Sequence, residues 1–144
     1  MNQIIQRATS ISFYTLPLKA SLPFGYYLFY KFSFFKVLFW LTFPVAIIER
    51  NLPFGGLLFF IILFAGVVRN PNVPYFIRYN ACQALLLDIA LIIISYLLRI
   101  LPLAEFGSIV FVFSLSIFIF SIFQCINGVE PEIPFISKSV RMQI

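Results

Sequence analysis

The chain has 144 residues, 62% of them hydrophobic and only 10% charged, with no histidine and a net charge of +5. Soluble domains run at about 25% charged, so a mean hydropathy of +1.02 excludes a soluble monomer and leaves a single membrane domain over residues 1–144, a length with no room for a second. A nucleic-acid role is excluded as well, because the Lys and Arg residues sit between apolar runs, as flanking charges do in membrane proteins.

In chain order, the first twenty residues, MNQIIQRATSISFYTLPLKA, are mildly basic and carry no acid. They lack the continuous apolar core and small-residue cleavage site of a signal peptide; the absence of acid allows a transit peptide, against which stand their shortness and their poverty in Arg. Residues 22–30, LPFGYYLFY, place tyrosines as in a headgroup-level aromatic belt and read as a short interfacial segment. Four apolar runs follow, at 32–48, 52–68, 79–98 and 106–126. A helix needs about 20 residues to cross the hydrocarbon core, so the pattern predicts an all-α, polytopic fold with four transmembrane helices. In the first run only residues 37–48 are free of charge. Lys36 must therefore snorkel to the interface, and Pro44 is expected to kink the helix. The second run is short but uncharged.

The connections are short and rich in proline: Glu49 to Pro53, Asn70 to Pro74, and Arg99 to Glu105. Asn-Pro and closely spaced prolines favour turns over helix. The tail, 127–144, is polar and broken by prolines, and is expected outside the membrane. On this arrangement eight basic residues (Arg7, Lys19, Lys31, Lys36, Arg69, Arg78, Lys138 and Arg141) fall on one side and two, Arg50 and Arg99, on the other. The asymmetry places both termini on the cytoplasm-like side.

The third run holds Asp88 near mid-membrane, at a cost of roughly 2.5–3.5 kcal/mol on the insertion scale. Its ten Leu and Ile residues offset that at about −0.3 to −0.6 kcal/mol each. At 100° per residue, Asn80, Ala81, Ala84, Asp88 and Ser95 share one arc, while Leu86, Ile89 and Ile93 point elsewhere. Asn80, Ala84, Asp88 and Ser95 are thus the candidate face for a water-accessible path or a subunit contact; the alternative is that Asp88 is partnered and holds the bundle together. Gln83 falls off this arc. Arg78 and Arg99 are about 15 Å away along the helix, so an ion pair to Asp88 within these spans is not expected.

The fourth run repeats small residues every seven positions, at Gly107, Ser114, Ser121 and Gly128. Small residues let helices approach closely in lipid, so this stripe predicts a tight helix neighbour. Arg69 and Arg78 are either topology signals or a docking surface, on the positively charged side, for a partner or for anionic headgroups. Cys82 and Cys125 read as buried, inert thiols. Without histidine, a Ser-Lys pair or a spaced carboxylate pair, no catalytic, metal or cofactor site is expected.

The run Val68-Arg69-Asn70-Pro71-Asn72, then Arg78-Tyr79-Asn80, Gln83-Ala84 and Leu87-Asp88-Ile89, resembles the signature of the twenty-kilodalton subunit family of the TIC translocon, the protein-import machinery of the chloroplast inner envelope, which includes plastid-encoded and cyanobacterial members. Pro131-Glu132-Ile133-Pro134 through Gln143 is similar to the family's C-terminal segment, and the resemblance spans residues 15–144. It implies a multi-pass membrane subunit of a preprotein translocase with both termini stromal. Other TIC translocon subunits and transiting preproteins are its implied partners, and a share in the conducting path its implied role. It supplies no catalytic residues. A start of family sequence near residue 15, with a composition rich in Phe, Ile and Asn, suggests an organelle-encoded protein inserted from the stroma. The rival readings are a structural or assembly subunit of another membrane complex and a small-solute or ion channel.

Overall fold

The computed structural model describes residues 2–54, 56–100 and 106–144, which are helical with no strand. The elements are α1 (Gln3–Phe13), α2 (Thr15–Ser21), a 3-10 turn (Leu22–Gly25), α3 (Tyr26–Lys31), a second 3-10 turn (Ser33–Lys36), α4 (Val37–Asn51), α5 (Gly56–Leu63) running into a π turn (Phe64–Val68), α6 (Tyr75–Ile100), α7 (Phe106–Ile126) and α8 (Ile136–Gln143).

Two of these helices, α6 and α7, are long and apolar enough to cross a membrane. Their turn chemistry sets their limits. The Asn70 side chain accepts from the Asn72 backbone at 3.0 Å in the loop before α6, and Pro74 precedes its first residue. α7 ends where Gly128 takes φ +74, so that the Gly128 and Val129 amides return to the Cys125 and Gln124 carbonyls at 3.0 and 2.9 Å. A left-handed residue just past a helix favours glycine because no Cβ strains it.

The first two predicted spans take another form. The helical pair Ser33–Asn51 and Gly56–Val68 is bent by 102° at its break and counts as a third span only if the two are one. α4 continues through Pro44, and Arg69 N–H bonds the Phe64 carbonyl at 3.0 Å to close the π turn. The predicted connection from Arg99 to Glu105 lies largely outside the described residues.

The N-terminal residues and the tail, read from sequence as peripheral, are part of the packed body. α1 and α2 lie between α6 and α7 and pack on both, while α8 packs on α6. One apolar cluster joins Leu16, Val45, Val68, Tyr79, Cys82, Leu85 and Val140. A second joins Tyr14, Ala84, Leu87, Cys125 and Ile133, and a third Leu18, Leu22, Phe29, Leu38 and Phe111. Each cluster combines the N-terminal segment or the tail with a long helix.

Candidate functional site

The polar residues of α6 divide into two groups. In its first half, Tyr79, Asn80 and Gln83 are completely buried and joined to both ends of the chain. The Tyr14 hydroxyl donates to Asn80 Oδ1 at 2.7 Å. Gln83 Nε2 donates to the Tyr14 hydroxyl at 3.0 Å and to the Pro131 carbonyl at 3.1 Å. Tyr79 donates to that carbonyl at 2.6 Å. Ser137 Oγ donates to Gln83 Oε1 at 2.7 Å and accepts from Ile133 N–H at 2.7 Å. Asn80 Nδ2 reaches the Phe76 carbonyl at 2.8 Å, and the Cys125 thiol approaches Asn80 Oδ1 at 3.3 Å. Gln83 thereby uses both donors and its acceptor oxygen, and a network satisfied in this way at low dielectric is rigid.

Outside it, Arg141 pins the tail down. Its guanidinium lies 4.9 Å from the Tyr79 ring centre and reaches Glu132 at 2.5 Å and Glu130 at 3.0 Å. The hydrogen bond to Glu132, then that to Glu130, holds its pKa above the ordinary guanidinium value.

In the second half of α6, Asp88 and Ser95 line an open cleft of about 700 Å³ together with Lys19 and Ala20 of α2, Glu49 of α4, Gly56 and Leu57 of α5, and Arg99. Lys19 is engaged by Glu49 in a salt bridge, while Asp88 makes no ion pair or hydrogen bond among the described residues. The sequence offers no base at the depth of Asp88 within the four predicted spans; the structure brings one there from α2, already committed to Glu49. Arg99 stands 5.7 Å from the Tyr96 ring centre.

The single arc read from helical periodicity is therefore two surfaces. Asn80 and Ala84 are buried in the interior of this chain, whereas Asp88 and Ser95 remain partly open. Gln83, off that arc, is the hub of the sealed half. The missed signal is the tail, whose Pro131 and Ser137 supply its partners.

The small residues of α7 divide as well. Gly107 admits close approach: a Cβ there would stand 3.2 Å from the Phe24 carbonyl oxygen. Ser114 lines an apolar cavity of about 370 Å³ between α2, α6 and α7, and Ser121 is fully buried, its hydroxyl without a hydrogen-bond partner among the described residues. Gly128 lies beyond the helix and terminates it; a Cβ there would meet the Arg7 guanidinium at 2.7 Å. Of the two arginines flanking the 70–74 turn, Arg78, in the first turn of α6, caps the π turn through the Val68 carbonyl at 2.9 Å. Arg69 is exposed, stacked 5.5 Å from the Phe64 ring centre. Cys82 and Cys125 are free and buried. Among the described residues no group of His, Cys, Asp and Glu is arranged to hold a metal.

Comparison with known proteins converges on one family. Residues 3–140 match the family model described as chloroplast import apparatus Tic20-like. The chain is similar to the chloroplastic protein TIC 20-II of Arabidopsis thaliana, 33% identical over 96% of this chain and 72% of that protein. It is 31% identical to a Tic20 family protein of Synechocystis over 96% of this chain and 92% of that one. It is also 33% identical to the Tic20 family protein Ycf60 of Gracilaria tenuistipitata, over 98% and 76% of the two.

Proposed function

Because the chain belongs to the Tic20-like family of the chloroplast import apparatus, we propose that it is a membrane subunit of the preprotein translocase of the chloroplast inner envelope, and that the cleft at Asp88 helps form the protein-conducting path. On this reading it crosses the membrane four times with both termini stromal. Its partners are other TIC translocon subunits and transiting preproteins. It conducts rather than catalyses.

The observation that carries the path assignment is the contrast between the two halves of α6. An acidic side chain in a span is costly and faces a cavity or a partner. Here Asp88 faces a cleft of about 700 Å³ with no hydrogen bond or ion pair among the described residues, while Asn80 and Gln83 one half-helix away are hydrogen-bonded within the chain. One subunit does not enclose a wide pore, so the cleft forms one wall, completed by a second protein. Arg69, exposed in the loop before α6, is the candidate contact for a stromal partner; Arg78 is occupied by the Val68 carbonyl.

A photo-crosslinker at Ser95, in organelles arrested during import, tests the assignment. Adducts to the arrested preprotein are expected. Adducts only to resident membrane proteins, unchanged by import state, would instead make the cleft a subunit contact and favour the structural reading, which the tail-locked core also suits. Ion flux through the purified protein, altered by Asp88→Asn, would favour a channel.

A further inference from the structure

Residues 3–25 are too polar to register as a membrane span, yet the structure lays them lengthwise along the two longest helices. Arg7 Nη1 donates to the Ile126 carbonyl at the end of α7, at 3.1 Å. Tyr14 meets Asn80 in the first half of α6, Leu18 joins Phe111 in an apolar cluster, and Phe24 lies against Gly107 at the start of α7. The segment therefore runs parallel to α6 and antiparallel to α7, from one end of that pair to the other. At 1.5 Å per residue its 23 residues extend about 34 Å, against a hydrocarbon core of about 30 Å.

Most of its polar groups are handled as lipid requires, the buried Ser10 hydroxyl being without a hydrogen-bond partner among the described residues. The hydroxyls of Thr9, Ser12 and Ser21 each donate to a carbonyl of their own helix, and that of Thr15 donates across the joint to the Ser12 carbonyl, all at 2.6–2.7 Å. Lys19 is paired with Glu49, and Arg7 sits at the negative end of α7, where a cation is favoured. Backbone bonds continue across the joint at Tyr14, from the Tyr14 amide to Ile11 and from the Leu18 amide to Tyr14.

After this segment the chain is at the α7 start. The Phe29 ring packs 5.3 Å from that of Phe111. It next reappears at the opposite end, where the Val68 carbonyl meets Arg78 at the head of α6. We infer that residues 3–25 are the first membrane crossing and that Ser33–Asn51 and Gly56–Val68 are the two halves of one discontinuous second crossing, with α6 and α7 as the third and fourth.

The inference rests on the membrane-subunit reading, but not on what that subunit conveys. It keeps four crossings and both termini on one side, and reassigns which segments cross. The break of the second crossing then lies within the half of the membrane between Asp88 and Arg99, where Glu49 and Gly56 line the same cleft as Asp88. Non-helical backbone is tolerated at such depth only where it is covered by protein or lines a cavity, and discontinuous helices are a recognised way of building a polar site there. Basic residues still favour the side of the termini: Arg7, Arg69, Arg78, Lys138 and Arg141 lie there, and Lys31, Lys36 and Arg99 lie opposite.

The two arrangements differ in where residues near 30 emerge. Separate spans at 32–48 and 52–68 put Tyr30 and Asn72 on the same side; the structure puts them on opposite sides. Single substitutions Tyr30→Cys, Asn72→Cys and Ser139→Cys, all at exposed positions, are made in the full chain and probed with a membrane-impermeant maleimide in right-side-out and inverted vesicles. The buried Cys82 and Cys125 leave the unsubstituted protein as the blank. Asn72→Cys and Ser139→Cys are expected to label from one face and Tyr30→Cys from the other. Labelling of Tyr30→Cys from the same face as Asn72→Cys would overturn the inference. So would labelling of Tyr30→Cys only after detergent, because the first crossing would then not end where the structure ends it. Sidedness is read without any preprotein, so a failure here leaves the import assignment standing, and a failure of the Ser95 crosslink leaves the crossings standing.

Discussion

Asn80 and Gln83 in the first half of α6, and Asp88 and Ser95 in the second, lie on one helix and are all polar, yet they meet opposite surroundings. The first pair is closed in by Tyr14 from the N-terminal segment and by Pro131 and Ser137 from the tail. The second pair looks into a cleft where Lys19 is paired with Glu49 and Asp88 has no hydrogen bond or ion pair among the described residues. A polar group inside a membrane protein is thus either a fastener or an unfinished contact, and composition does not distinguish them. Partner geometry does: hydrogen bonds completed within the chain stabilise that chain, while an unpaired carboxylate leaves something for another molecule to complete.

Substitutions should separate the halves, the largest effect first. Gln83→Leu removes three hydrogen bonds worth about 1 kcal/mol each. Thermal unfolding in detergent should fall by the equivalent of about 3 kcal/mol, and trypsin should gain access to the tail at Lys138. An unchanged melting point and a protected tail would remove the sealed half from this comparison. Gly128→Ala forces a side chain into left-handed backbone and against Arg7. It should cost about 1–2 kcal/mol, seen as a lower melting temperature with the fold retained. Tyr79→Phe deletes one donor to the Pro131 carbonyl, which keeps Gln83. A loss of about 1 kcal/mol is expected, measured as a shift in the same unfolding curve. The smallest effect belongs to Asp88→Asn, which strands no partner and should change stability by less than about 0.5 kcal/mol. It should nevertheless alter the crosslinking pattern from Ser95. Strong destabilisation by Asp88→Asn would mean that Asp88 is also a fastener, and the contrast would disappear.

The readability of these features in the sequence follows the same division. α7 is found at the predicted 106–126 and α6 extends the predicted 79–98 to Tyr75–Ile100, because a long uninterrupted apolar run has few other solutions. Asp88 stands out as an acid in such a run. The helical character of residues 3–21 and the docking of the tail do not show in hydropathy. The hydroxyls of Thr9, Ser12 and Thr15 score as polar but are satisfied by backbone carbonyls three or four residues earlier, and the partners of Gln83 lie 48 to 69 residues away. Periodicity on one helix cannot register that distance, so it grouped Asn80 with Asp88 and set Gln83 aside. The stripe on α7 shows the same limit: Gly107 and Gly128 share a heptad spacing, but one admits a neighbouring backbone and the other ends the helix.

One carbonyl oxygen, that of Pro131, has a further consequence in time rather than in space. It accepts from Tyr79 and Gln83, yet it follows all of α6 and α7 in the chain. During synthesis the long helices therefore exist for a period with Tyr79 and Gln83 buried beside lipid and waiting for an acceptor that has not been made. The closing of the tail is the event that completes the interior, and any chain ending before residue 131 stays in that waiting state. Maturation of the protein is thus timed by its final segment, and a truncation too small to touch any span is enough to leave its centre undone.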